Sequence, residues 1–157
     1  MSVAPDRWAP GTPLGDALQA RAAQAMAQAY APYSAFRVGA ALLAEDGLID
    51  HGCNVENAAY PAGICAERAA VAAAVARGAR RFEVIVIMTE AEAPTPPWWV
   101  CRQVLVEFAP ALAVYSTTRG GASARWTMSE LLPEAFTPTS MGRTDAPVAA
   151  GRSLRGT

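Results

Sequence analysis

The sequence predicts an α/β fold, a three-layer α-β-α sandwich around a mixed five-stranded sheet, and three observations carry that expectation. Strand-like and helix-like apolar periods follow one another along the chain. Phe82 to Thr89 is a continuous apolar, β-branched run of the kind found in a strand covered on both faces. Two cysteine-bearing segments each open a helix that follows a strand. The order strand pair, helix, buried strand, helix, strand hairpin places a mixed sheet between helical layers.

Residues 1–11, rich in Pro and Gly, read as a flexible arm before one domain over residues 12–136. Thr12 caps and Pro13 opens a helix whose apolar positions Leu14, Leu18, Ala22, Ala25, Met26 and Ala29 recur at helical spacing, and Pro32 ends it. Phe36 to Leu43 and Leu48 to Glu56 are strand-like, and Asp46-Gly47 between them favours the positive φ of a hairpin turn. They should pair antiparallel. Cys65 to Arg77 is an alanine-rich helix closed by Gly78. After the buried strand, a loop with Pro94, Pro96 and Pro97 leads to a helix that has Cys101 near its start and ends about Phe108. Leu112 to Thr118 and Ala124 to Thr127 flank Arg119-Gly120-Gly121 as a closing hairpin, with a short helix around Ser129 to Leu132. Residues 137–157 lack an apolar period and read as a disordered tail.

Composition narrows the class. A chain of 157 residues with 52% hydrophobic and 17% charged residues can bury a real core. Net charge is −1, with thirteen Arg, no Lys and no basic stripe, which favours a nucleoside-sized ligand over a nucleic acid polymer. The N-terminus carries an early acid and no signal-like apolar run, and no segment has the length of a membrane span, so a cytoplasmic protein without a membrane partner is expected. Three cysteines argue against a disulfide framework and for thiols used as ligands or core filler.

Cys65 and Cys101 each stand at a helix N-terminus, where free N–H groups and the dipole favour thiolate, and two converging thiolates make a soft-metal clamp. Free cysteines also fill cores. Glu67 lies on the same first turn as Cys65, and its carboxylate either serves what Cys65 touches or merely complements the dipole. Asn54 and Glu56, two apart on a strand, point the same way, so they grip adjacent hydroxyls of one ligand or face water. His51 and Cys53 stand at odd offsets from them and should face away, as surface and core. Glu90 and Glu92 are conceivable oxygen ligands, with nothing to favour them over solvent.

Cys65-Ala66-Glu67-Arg68 followed by Pro97-Trp98-Trp99-Val100-Cys101 nearly matches the zinc deaminase pattern C/H-x-E then P-C-x-x-C, in which three side chains hold zinc and the glutamate moves protons. Ala31-Pro32-Tyr33-Ser34-Ala35-Phe36, Gly52-Cys53-Asn54-Val55-Glu56-Asn57, Arg102-Gln103-Val104-Leu105 and Leu131-Leu132-Pro133-Glu134-Ala135-Phe136 stand in the same order as in the small homotetrameric cytidine deaminases. The chain resembles that family from Pro13 to Pro138. The resemblance implies a cytidine deaminase-like fold, Glu67 as acid and base, and a ribose bound by Asn54 and Glu56. It further implies a base enclosed by Phe36, Ala66 and a neighbouring subunit's Phe136, with Arg68 supporting the thiolates; Trp98, in this chain, is expected to line the same substrate pocket. It also implies a homotetramer. Trp98 departs from the pattern. Indole offers an N–H donor and no lone pair for a metal, so Cys65 and Cys101 leave the zinc site one ligand short. The bulky ring is expected to fill the vacated volume, and well under one zinc per chain is expected.

The function that follows is a cytidine deaminase-like hydrolase acting on a pyrimidine nucleoside or related amino-heterocycle, with Glu67 as acid and base. The alternatives are a zinc-free nucleoside hydrolase cleaving the N-glycoside and a non-catalytic nucleoside-binding protein.

Overall fold

Alternation across the central strands sets the layering of the computed structural model, which describes residues 6–143. In β3 (Phe82–Thr89), Val84, Val86 and Met88 are buried on one face and Ile85 and Ile87 on the other, so both faces need a cover. The first face packs under Leu18, Ala22 and Met26 of α1 (Pro13–Ala27). The second packs under α2 (Ala66–Ala76), α3 (Trp99–Phe108) and α4 (Met128–Leu131) through Ala70, Ala74, Leu105, Met128 and Leu131. Around β3 the remaining strands are β1 (Val38–Ala44), β2 (Ile49–Cys53), β4 (Ala113–Thr118) and β5 (Ser123–Thr127). The sheet order is β2-β1-β3-β4-β5; β3 and β4 are parallel and every other neighbouring pair is antiparallel. This is the three-layer, mixed five-stranded architecture expected.

The β1–β2 hairpin turns at Asp46-Gly47, with Gly47 at φ +81°. Gly52 on β2 lies directly beneath α2: a Cβ there would stand 2.5 Å from the backbone nitrogen of Ala70 and 2.7 Å from the carbonyl oxygen of Ala66. Only a residue without a side chain lets the helix sit this close to the strand.

Element ends differ from the sequence expectation, with a common cause. α1 stops at Ala27, before Pro32, because Tyr30 is drawn into backbone pairing, its N–H donating to Asn54 (3.0 Å) and its carbonyl accepting from Glu56 (2.8 Å). β2 stops at Cys53 instead of Glu56, because Val55 pairs with Tyr30 and Ile64 rather than with β1. β1 starts at Val38, two residues after Phe36, following Ala35 at φ +53°.

Residues 6–11 depart from the flexible arm expected. The Asp6 carboxylate accepts a hydrogen bond from Tyr115 and pairs with Arg125 at 3.1 Å, Arg7 pairs with Glu83, and Trp8 packs on the α1-side core. Sequence periodicity could not show the polar contacts, since Glu83, Tyr115 and Arg125 lie more than 70 residues from Asp6 and Arg7. Of the expected tail, Pro138–Met141 forms a 3₁₀ turn, and residues 144–157 lie outside the described residues. Among the described residues, no helix is long and apolar enough to cross a membrane.

Burial, then the hydrogen bond to Asp6 and its negative charge, push the Tyr115 hydroxyl up to about 12. A pKa raised on folding contributes stability that is present below the unfolded value near 10 and lost as pH climbs to 12. Unfolding free energy measured by denaturant titration should fall across that window, and Tyr115→Phe should flatten the fall.

Candidate active site

β2 and β3 both run antiparallel to β1, so they are parallel to each other and end at the same edge of the sheet. α2 follows β2 and α3 follows β3, and the N-termini of the two helices meet there. Cys65 is the N-cap of α2, Glu67 lies in its first turn, and Cys101 lies in the first turn of α3. The two Sγ atoms and a Glu67 carboxylate oxygen all stand within 4.8 Å of one another. The expected convergence of the two motif halves is present in the fold.

Cys101 is fully buried, Glu67 is 5% exposed, and Cys65 is half-buried. The neighbouring Cys101 thiol first, and the Arg68 guanidinium 3.8 Å away after it, hold Cys65 below the ordinary thiol range, while Cys65, burial and the Glu67 charge push Cys101 well above it. Burial first, and the Cys65 charge after it, raise Glu67 to about 7. Arg68 is anchored by its bond to the Gly63 carbonyl (3.1 Å).

Cys65 and Glu67 line a cavity of about 540 Å³, together with Phe36, Asn54, Glu56, Ala66, Thr89 and Trp98 among others, while Cys101 is buried behind its wall. Asn54 and Glu56 face it together, as their strand offset predicts, but both are already engaged. The Asn54 amide accepts from the Val38 N–H and donates to the Phe36 carbonyl, each at 2.8 Å. Glu56 accepts from the N–H groups of Tyr33 (2.8 Å) and Ser34 (3.2 Å) and from the Ser34 hydroxyl, which holds it below the usual carboxylate range. An amide keeps one N–H and one lone pair after two such bonds, and a carboxylate keeps one of about four acceptor positions after three. Each can still take one ligand hydroxyl.

The remaining candidates lie outside the cluster. Phe136, expected to serve a neighbouring subunit's cavity, is 59% exposed and does not line its own chain's; its carbonyl accepts from Gln103. His51 is exposed, and Cys53 is half-buried rather than core, both outside the cluster. Glu90 is bound to Arg37 at 2.6 Å, and Glu92 is exposed. Trp98 is the N-cap of α3 with its indole 72% exposed, so it lines the cavity without filling the buried space between the thiols, contrary to expectation.

Sequence reasoning missed Thr89. This residue, at the carboxyl end of β3, is 1% exposed and lines the cavity, and its buried hydroxyl has no hydrogen-bond partner among the described residues. The available signal was a polar residue closing an otherwise apolar strand core.

The comparisons agree with this geometry. Residues 16–117 match the family model for the cytidine and deoxycytidylate deaminase zinc-binding region. A cytidine deaminase of Sporosarcina psychrophila is 48% identical over 120 residues, covering 76% of this chain and 88% of the relative. The crystal structure of cytidine deaminase from Burkholderia pseudomallei superposes with a TM-score of 0.74 at 45% identity, over 77% of this chain and 98% of that one. The Mycobacterium tuberculosis enzyme gives 0.68 at 37% identity, over 78% and 96%. The fold and site define an α/β hydrolytic scaffold with its chemistry at the sheet's carboxyl edge. The chain belongs to the cytidine deaminase family.

An unpaired buried hydroxyl is a cost in the ligand-free protein. Thr89→Val should therefore leave unligated stability unchanged or raise it by about 1 kcal/mol in a denaturant titration. Any ligand that bonds the hydroxyl should stabilise the variant less than the parent.

Proposed function

We propose that this protein is a cytidine deaminase-type hydrolase that takes a pyrimidine nucleoside or a closely related amino-heterocycle, with Glu67 carrying the proton. The observation that carries the proposal is the position of Glu67: a carboxylate 5% exposed, within 4.8 Å of two thiols, lining a cavity whose wall also holds Asn54 and Glu56. Those two residues would accept and donate to the sugar hydroxyls, with Phe36 and Ala66 beside the base. Phe136 is free to serve a neighbouring copy's cavity, in a homotetramer acting in the cytoplasm.

The residues do not fit the zinc that the family model implies. A catalytic zinc takes three protein ligands and keeps one position open for water. Cys65 and Cys101 supply two; if Glu67 supplied the third, no carboxylate would remain to move the proton. The P-C-x-x-C position that would give the remaining thiolate is Trp98, which has no lone pair to offer. We therefore assign chemistry to this chain's own groups. Glu67, protonated and deprotonated in comparable amounts near neutral pH, can take a proton from a water held beside it and return it to a ring nitrogen or a leaving group. Water without a Lewis acid is a weak nucleophile at neutral pH, so cytidine itself should turn over slowly.

A panel of pyrimidine nucleosides and amino-heterocycles, read by thermal shift and by ammonia release, tests the proposal. Binding at one hundred times Kd adds about 2.7 kcal/mol, and the double variant Asn54→Ala, Glu56→Ala should lose the shift. Ligand stabilisation with no product from any compound would make the protein a binder. Release of free base instead of ammonia would make it an N-glycoside hydrolase.

Elemental analysis should find well under one zinc per chain. Trp98→Cys completes P-C-x-x-C, so it should bring zinc toward one per chain and raise cytidine deamination above the parent's rate. A variant that folds yet binds no zinc would refute the one-donor account.

A further inference from the structure

We propose that Cys65 and Cys101 form a reversible intramolecular disulfide, which makes the floor of the cavity a site of thiol–disulfide exchange. This rests on the preceding account in one respect, that no metal occupies the two sulfurs.

The geometry assigns the two thiols different parts. Cys65 is half-buried and lines the cavity, so a reagent entering there meets it first. Cys101 is fully buried within 4.8 Å of it and can be reached only by its neighbours. Arg68 places a guanidinium nitrogen 3.8 Å from the Cys65 sulfur, and the N-terminus of α2 begins at the next residue; both favour the anion that attacks. Glu67, within 4.8 Å of both sulfurs, can accept the proton that Cys101 must lose. The third cysteine, Cys53, does not line the cavity and does not compete.

The oxidant is a small-molecule disulfide, for which oxidised glutathione is the probe. The Cys65 thiolate attacks one of its sulfurs, a mixed disulfide forms, and one glutathione thiolate leaves. Cys101, its proton passed to Glu67, then attacks the Cys65 sulfur and expels the second glutathione thiolate, which takes up a proton. Two protein thiols are oxidised and one external disulfide is reduced to two thiols.

The test uses full-length Cys53→Ser protein, its zinc measured beforehand and the glutathione ratio then varied. The expected result is a chain lighter by two hydrogens, without a retained adduct, whose titratable thiols fall from both to none and return with dithiothreitol. Adding Cys101→Ser should stop the reaction at a glutathione adduct on Cys65. Adding Cys65→Ser should slow thiol loss on the order of tenfold or more, since only the buried sulfur remains. Zinc-poor protein that stays reduced in excess oxidised glutathione would overturn this proposal alone. Protein with one zinc per chain and unreactive thiols would overturn it together with the metal account above.

Discussion

The site depends on one constraint, the depth at which α2 sits on β2. Gly52 permits a backbone approach that any Cβ would block, with the would-be atom 2.5 Å from the Ala70 nitrogen. That contact fixes the start of α2, and therefore Cys65 and Glu67, against the strand end that turns outward into Asn54 and Glu56. β3 brings α3 and Cys101 to the same edge, because it runs in the same direction as β2. Two helix starts on one face of one sheet edge leave little room, and the three acidic groups are forced into the same small volume.

Crowding of this kind decides protonation. Three ionised groups so close and so buried would repel strongly at low local dielectric, and half-buried Arg68 is the cation beside them. The cluster resolves this by keeping the charge on the most accessible member, Cys65, while Cys101 retains its proton and Glu67 is pushed to about 7. A carboxylate at that value gives and takes a proton with little driving force in either direction, as acid–base work at neutral pH requires. The cluster's proton is movable because its charges cannot all be present.

The features legible in the sequence were those set by short-range pattern. β3 was read to its last residue, the hairpin turn was carried by Asp46-Gly47, and the meeting of Cys65, Glu67 and Cys101 followed from two strand-to-helix junctions. Features set by distant partners were not legible. Trp8 and Asp6 gain their places from the α1-side core, Tyr115 and Arg125, and Tyr30 ends α1 by bonding to residues beyond the hairpin. The alternation rule placed Asn54 and Glu56 on the cavity side, but it could not show that most of their hydrogen-bonding capacity holds the Tyr33–Val38 segment in place. Their work in shaping the cavity and their capacity to bind a ligand are parts of one network, so substituting either residue affects both.

Trp98 has two separable consequences. As a missing thiolate it acts at the cavity floor, where it leaves two sulfurs without a third donor of their kind. As an aromatic ring it acts at the surface, where Trp98, Trp99 and Val100 are 72%, 71% and 55% exposed and Arg102 lies 4.7 Å from the Trp99 ring. A tryptophan can bury about 150 to 250 Å². At about 25 cal/mol per Å², leaving two such rings in water forgoes several kcal/mol that a neighbouring copy or a planar ligand could recover. On the function proposed above, the first consequence closes a metal-assisted route, and the second leaves exposed aromatic area beside Glu67 and the two thiols at the mouth of the same cavity.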